Sequence, residues 1–322
     1  MYTLSELEKA QSIVYETMTP TLQHNWPLLE AELGCEVWLK HENHTPLGAF
    51  KVRGGLVYLD RLVRDRPEVE SIVSATRGNH GQSLAFAGRE YGRRVTIVVP
   101  HGNSVEKNAA MRALGAEVIE YGNDFQEARE HSMEIADERG SEVVPPFHPD
   151  LVLGVATYAR ELFDAAGPLD TVYVPVGMGS GINALIGVRD LFGLSTQIVG
   201  VVSSGARSSQ LSFERGEVVT TASADTFVDG GATRSPDPQS IAGMLDGAAR
   251  IIDVTDDATA DAMRTIYRTT HNVAESAGAI ALAGLLSETV DERGARSAFV
   301  LCGGNVDTAQ FCAVLAGDTP TT

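Results

Sequence analysis

The sequence predicts an α/β fold with two open, twisted parallel sheets, and three observations carry that reading. Short apolar runs rich in β-branched residues recur along the chain, each bounded by turn residues. Between them lie segments whose apolar residues return every three or four positions, so strand and helix alternate as in sheets covered by helices on both faces. The runs also fall into two groups, the first of which ends at the Pro145-Pro146 pair.

In chain order the predicted strands are 36–39, 71–75, 95–99, 117–121, 171–176, 198–202 and 298–301. Their continuous apolar character marks them as buried parallel strands. Helical spacing is clearest in Ala262, Met263, Ile266 and Tyr267, and in Ala277, Ile280, Ala281 and Leu285. The compact run of strand–helix units from 71 to 121 reads as a smaller domain inserted into a larger one. The boundaries place residues 1–62 and 148–322 in the larger, discontinuous domain and 63–147 in the smaller. The small, polar tail from 317 to 322 is expected to fray.

Composition narrows the function. The 322 residues carry 43 acidic and 25 basic side chains, a formal net charge of -18, with 43% hydrophobic residues. Such a chain buries a substantial core, and its charge opposes binding to nucleic acid or anionic membranes. No apolar run approaches the roughly 20 residues of a membrane span. The charged N-terminus resembles neither a secretory signal nor a transit peptide, and Cys35, Cys302 and Cys312 have no metal or redox spacing, so a reducing cytoplasm is expected. Only four basic residues are lysines: Lys9, Lys40, Lys51 and Lys107. A catalytic amine therefore has few candidates.

Ligands of open α/β sheets bind beyond the carboxyl ends of the strands, which gives weight to four turns. Gly177-Met178-Gly179-Ser180-Gly181 follows an apolar strand and opens a helix, where bare backbone N–H groups and the helix N-terminus converge on an anion such as phosphate. Taken alone it also fits a tight strand-to-helix turn without a ligand. It departs from the dinucleotide pattern at Ile182, Asn183 and Ala184, where a third glycine would come. Phe50-Lys51-Val52-Arg53-Gly54-Gly55 sets a lysine beside an aromatic ring; burial there lowers an amine's pKa and makes it nucleophilic, although most lysines are plain surface charges. Thr76-Arg77-Gly78-Asn79-His80-Gly81-Gln82 offers backbone N–H groups to a carboxylate and an amide NH₂ to a ring oxygen, or is simply a polar loop. Cys302-Gly303-Gly304-Asn305 closes the last strand with a thiol able to face a ring nitrogen, or with a small buried cysteine in a tight turn.

In this order, and with Ala274-Glu275-Ser276-Ala277-Gly278-Ala279, these motifs resemble the fold-type II pyridoxal-phosphate enzymes related to the tryptophan synthase β chain, specifically the threonine/serine dehydratase group. The resemblance runs from Glu36 to Asp307. It implies pyridoxal 5'-phosphate in the cleft between the two domains, with the smaller domain moving to grip the substrate. It implies that Lys51 forms the Schiff base and moves the α-proton, that Phe50 and Gly230 flank the pyridine, and that Asn79 meets the ring hydroxyl. Gly177, Met178, Gly179, Ser180 and Gly181 would hold the phosphate, Cys302 would face the ring nitrogen, and Glu275 belongs to the same cofactor site. Thr76, Arg77, Gly78, Asn79 and His80 would grip the substrate carboxylate. The implied reaction is elimination of water from a serine- or threonine-like β-hydroxy amino acid to give a 2-oxo acid and ammonia, in a homodimer.

Two residues depart from the family pattern. Ala49 replaces a serine or threonine, and Arg77 stands where racemising members carry a serine. Arginine is a poor acid–base group, so racemisation is disfavoured; pointing inward, it would instead pair a second carboxylate, as on 3-hydroxyaspartate, or another acceptor on the substrate side chain, and pointing outward it would face solvent or brace the domain interface. The 201–209 stretch holds serines and an arginine where metal-binding members have carboxylates, so no metal is expected, and His41-Glu42-Asn43-His44 reads as scaffold. The chain stops too soon after the glycine motif for the regulatory domain of biosynthetic threonine dehydratases, so isoleucine feedback is not expected. A cofactor-binding protein without turnover and a nicotinamide-dependent oxidoreductase are the competing classes; the second leaves Lys51 and Cys302 without roles. Arg53 and Arg77 are the candidate local cations drawing an anionic substrate into an acidic protein.

Overall fold

Ten strands sort into two sheets in a computed structural model that describes residues 2–321. They are β1 (Gln23–Asn25), β2 (Glu36–His41), β3 (Ser71–Ala75), β4 (Arg94–Val99), β5 (Glu117–Glu120), β6 (Glu142–Val143), β7 (Thr171–Pro175), β8 (Gln197–Ser203), β9 (Arg250–Val254) and β10 (Arg296–Leu301). The six-stranded sheet runs β1-β2-β10-β7-β8-β9, parallel except for β1 at its edge. The four-stranded sheet runs β5-β4-β3-β6 and is parallel throughout.

Val172, Val174, Ile198, Val199, Val201, Ala298, Phe299 and Val300 are buried in the larger sheet, as expected for strands covered on both faces. The helix Ser276–Ser287 packs on β7, β8, β9 and β10. It is apolar on every side, which suits a helix buried all round. The strands absent from the sequence reading are β1, β6 and β9, and all three lie at sheet edges. β1 (Gln-His-Asn) and β6 (two residues) are too short to show a period, and β9 is interrupted by Asp253.

The helix Lys51–Asp65 joins the two sheet systems, packing on both Pro149–Ala166 and Asn79–Glu90. Its glycines exist for this crossing. A Cβ at Gly54 would come 2.8 Å from the Leu151 carbonyl oxygen, and one at Gly154 would collide with the Arg53 carbonyl and lie 2.7 Å from Gly54 Cα. Gly55 is crowded in the same way by Ser83, whose hydroxyl donates to the Lys51 carbonyl at 2.6 Å.

Arg53 sits in a closed network behind this helix. Its guanidinium donates to Glu42 at 2.7 and 2.9 Å and to Glu161 at 2.6 and 3.0 Å, and the Lys40 amine donates to Glu161 at 2.5 Å. Two cations and two carboxylates thus neutralise one another, with Arg53, Lys40 and Glu42 fully buried. This corrects the expectation that Arg53 draws in substrate: its charge is neutralised in the interior.

Candidate active site

Residues from both sheets meet at the carboxyl ends of β3, β7 and β10. Lys51 opens its helix, with Phe50 as the preceding cap residue, and the Phe50 N–H donates to the Cys302 carbonyl at 2.9 Å. This bond ties the lysine to the end of β10. The Lys51 amine lies 4.7 Å from the Phe50 ring centroid and donates to Ser180 Oγ at 3.1 Å. It has no carboxylate partner among the described residues. Burial pulls its pKa down to about 8, opposed in part by Cys302, so near neutral pH a usable fraction of the amine is unprotonated.

Gly177, Met178 and Gly179 connect β7 to the helix Ser180–Leu191, which Ser180 and Gly181 begin. Gly179 caps this helix at φ +89, and a Cβ there would also strike Ser240; Gly177 is closed in by the Gly230 carbonyl. Only glycine meets both demands at position 179. The amide of Asn183 braces the turn, donating to the Gly179 carbonyl at 2.9 Å and to Ser240 Oγ at 3.1 Å. The first N–H groups of a helix have no intrahelical acceptor, and they face an anion favourably.

On the other wall, Thr76, Arg77 and Gly78 lead from β3 into the helix Asn79–Glu90. The Gly78 N–H donates to Thr76 Oγ1 at 3.1 Å, which shapes the turn. His80 is buried, and burial with the nearby Lys51 charge pulls its pKa down to about 3, so the ring is neutral. Its Nε2 has no hydrogen-bond partner, nor have Arg77 Nε and Gln82 Nε2.

Both ends of the Asn79 side chain are fixed. Its Nδ2 donates to Glu275 Oε1 at 2.6 Å and its Oδ1 accepts from Asn305 Nδ2 at 2.9 Å, leaving one amide N–H free. Glu275 Oε2 accepts from the Lys107 amine at 2.9 Å, and the same amine donates to Asp229 at 2.5 Å. Gly230 follows Asp229 and approaches Ala277. The Cys302 thiol donates to the Ala277 carbonyl at 3.3 Å, and burial together with Glu275 holds it well above the usual thiol range. Cys302 is therefore neutral.

The structure thus gathers residues 50–51, 76–80, 177–181, 230, 275 and 302 around one cleft. Sequence reasoning missed Lys107, Asn183 and Ser240, and it left Asp229 without a role. Lys107 lies in an ordinary amphipathic helix, Val105–Ala113, and only the scarcity of lysines hinted at it. It brings a second amine to the site, bonded to Glu275 and Asp229. The His41–His44 segment is scaffold: His41 accepts from the Trp26 indole at 3.0 Å and stacks on His44. Among the described residues no group of three His, Cys, Asp or Glu side chains is placed to hold a metal.

An amine free of counter-ions, a glycine-lined helix N-terminus and buried polar atoms without partners fit a planar, phosphorylated aldehyde. A lysine meeting such a group between two open parallel sheets defines the pyridoxal-phosphate enzymes built on this fold. The chain belongs to the family described as "Pyridoxal-phosphate dependent enzyme", whose pattern matches residues 14–303, and its cofactor is pyridoxal phosphate. It is similar to the L-threo-3-hydroxyaspartate ammonia-lyase of Saccharomyces cerevisiae, 28% identical over 310 residues covering 95% of this chain and 94% of the relative. It is 30% identical over 308 residues to the L-threonine ammonia-lyase of Thermotoga maritima, covering 95% of this chain and 76% of the relative. The structure of the processed form of threonine deaminase isoform 2 from Solanum lycopersicum superposes with a TM-score of 0.88 at 28% identity, covering 97% of this chain and 88% of that one.

Proposed function

We propose that this protein is an ammonia-lyase that eliminates water from a β-hydroxy amino acid, releasing a 2-oxo acid and ammonia. The observation that carries the reading is the Lys51 amine, which has no carboxylate partner among the described residues and lies beside Ser180 at the glycine-rich helix start. Phe50 and Gly230 would hold the cofactor ring, residues 177–181 its phosphate, the free Asn79 N–H its hydroxyl, and Cys302 its nitrogen. Pyridoxal phosphate, when bound, supplies an electron-withdrawing ring that accepts charge from the substrate Cα. The backbone N–H groups of 76–80 orient the substrate carboxylate. Lys51 Nζ takes the α-proton, and Ser180 Oγ, in contact with that nitrogen, keeps it aimed at Cα. The β-hydroxyl leaves as water by taking up the proton that Lys51 Nζ carries, and the enamine that remains is hydrolysed by water to the 2-oxo acid and ammonia. The neutral Cys302 and His80 add no charge that would compete with the transferring proton.

One observation favours an acidic substrate. Arg77 has no carboxylate partner among the described residues, and its Nε is buried without an acceptor, although the chain has 43 acidic side chains. A second carboxylate on the substrate would supply that partner. Residues 1–62 with 148–322 would then form the cofactor-holding unit and 63–147 the unit that closes on substrate. The three cysteines are unpaired, which supports a reducing, cytoplasmic setting, and no helix among the described residues is long and apolar enough to cross a membrane. We read the active form as a homodimer, which sedimentation would test.

The function is tested by following keto-acid release from L-serine, L-threonine and 3-hydroxyaspartate. Release from at least one, abolished in Lys51→Ala, is expected; no release from any hydroxy amino acid contradicts the reading. Arg77→Ala should lose at least about tenfold more kcat/KM on 3-hydroxyaspartate than on threonine, the loss of a charge-assisted hydrogen bond. Equal losses remove Arg77 from substrate recognition.

A further inference from the structure

Glu275 caps the helix Ser276–Ser287, its side chain is 2% exposed, and both its oxygens are committed, one to Asn79 and one to Lys107. Lys107 comes from the other side of the cleft, on the helix that follows β4, and is itself buried. The backbone at Gly78 lies against the Lys107 side chain so closely that a Cβ there would collide with its Cδ. One ammonium therefore serves two carboxylates, the deep Glu275 and the 31%-exposed Asp229, while its stem supports the turn that leads into Asn79. The neighbouring contacts also cross the cleft: Ser104 bonds Asp307, and the Thr308 N–H donates to Glu106 at 2.8 Å.

A buried carboxylate depends on its cation. Burial already pushes the Glu275 carboxyl up, with Lys107 pulling against it and Asp229 adding to the rise; for Lys107, burial lowers its pKa, but Glu275 and Asp229 outweigh it and hold the ammonium charged. Without that ammonium the opposing pull is gone, and burial with Asp229 pushes the Glu275 carboxyl further up, toward its protonated form. A protonated carboxyl is a weaker acceptor, and the Asn79 amide would lose its anchor. The titratable groups nearest this cluster are Asp229, Cys302 and Lys51. Cys302 is held neutral and Lys51 shifts only to about 8.

We propose that Lys107 is a positioning residue of the active site: across the cleft it holds Glu275 as an oriented anion, and Glu275 in turn aims Asn79 at the cofactor. The relay rests on the reading of the cleft given above, and its test separates the two. Holoenzyme variants Lys107→Met, Glu275→Gln, Lys107→Met/Glu275→Gln and Lys107→Met/Asp229→Asn are compared by cofactor dissociation constant and by pH titration of the bound cofactor's visible band. Lys107→Met should weaken cofactor binding about tenfold or more and introduce a pH titration of the band that the wild type lacks. Adding Glu275→Gln should remove that titration and recover most of the affinity, because no buried charge is left unpaired. Adding Asp229→Asn should not.

Wild-type behaviour of Lys107→Met, or equal rescue by Asp229→Asn, overturns the relay. If Lys107→Met does not fold, the Lys107→Met/Glu275→Gln variant decides: folding with a pH-independent band supports the relay, and failure to fold contradicts it. Thermal unfolding of the same variants without cofactor gives an independent cycle, in which Glu275→Gln should be less destabilising in the Lys107→Met background than alone. A wild-type protein that takes up no pyridoxal phosphate refutes the cleft reading, and that cycle still decides whether Lys107 and Glu275 are coupled.

Discussion

The Lys51 amine donates to Ser180 Oγ at 3.1 Å and pairs with no carboxylate among the described residues. The two buried lysines are both paired with acids, Lys40 with Glu161 and Lys107 with Glu275 and Asp229. An unpaired amine in a cleft is costly to keep charged, so its protonation couples to folding.

That coupling has a definite sign. Folding lowers the Lys51 pKa from 10.5 to about 8, so between those values the unfolded chain binds more protons at this residue. Stability attributable to Lys51 is lowest below pH 8 and rises with pH through that window. With cofactor removed, Lys51→Met should be more stable than wild type at pH 7 by about 3 kcal/mol, and the advantage should vanish near pH 10.5. A difference that stays constant from pH 7 to 10.5 would show that Lys51 keeps its ordinary pKa.

Arg53 predicts a loss of a different kind. Arg53→Met leaves Glu42 and Glu161 with only Lys40 to balance them in the interior, at a cost of about 3–5 kcal/mol. Urea denaturation should show this as a lower midpoint with an unchanged m-value. A shift below about 1 kcal/mol would mean that solvent reaches the network.

The crossing of Gly54 and Gly154 allows no methyl group. Gly154→Ala places a Cβ against the Arg53 carbonyl and should destabilise by about 1–3 kcal/mol, since the two helices must move apart to admit it. Because Lys51 begins one of those helices, cofactor affinity should fall along with the melting temperature. A stable variant with weakened cofactor binding, or the reverse, would separate packing from site geometry.

Much of this fold is legible in the sequence. Parallel strands buried within a sheet write themselves as apolar runs, so β2, β3, β4, β7, β8 and β10 stood out; β5, an edge strand with Glu117 and Glu120 exposed, stood out only through the β-branched pair Val118 and Ile119, and the edge strands β1, β6 and β9 did not. The glycine loop, Lys51 and Asn79 were visible because their chemistry needs particular residues at particular turns. Lys107 was not, since its significance arises only when a helix of one sheet faces the Glu275 cap of the other, 168 residues away in the chain. Arg53 was misjudged for the converse reason: a motif shows that an arginine is present, and only packing shows that its charge is already matched.

The thiols offer a quick check on burial. Cys312 is exposed, while Cys302 is buried with its pKa well above the usual range. Iodoacetamide at pH 8 should therefore alkylate Cys312 at least about 100-fold faster than Cys302. Comparable rates would place Cys302 in solvent and remove it as a neutral partner for the cofactor ring.

The central claim is that Lys51 is the amine that engages pyridoxal phosphate. Borohydride reduction of the cofactor-loaded protein, followed by digestion and mass spectrometry, identifies the modified lysine directly. The expected result is one pyridoxyl group on the Lys51 peptide, with Lys9, Lys40 and Lys107 unmodified. Modification at another lysine in place of Lys51, or no stable adduct, would contradict it.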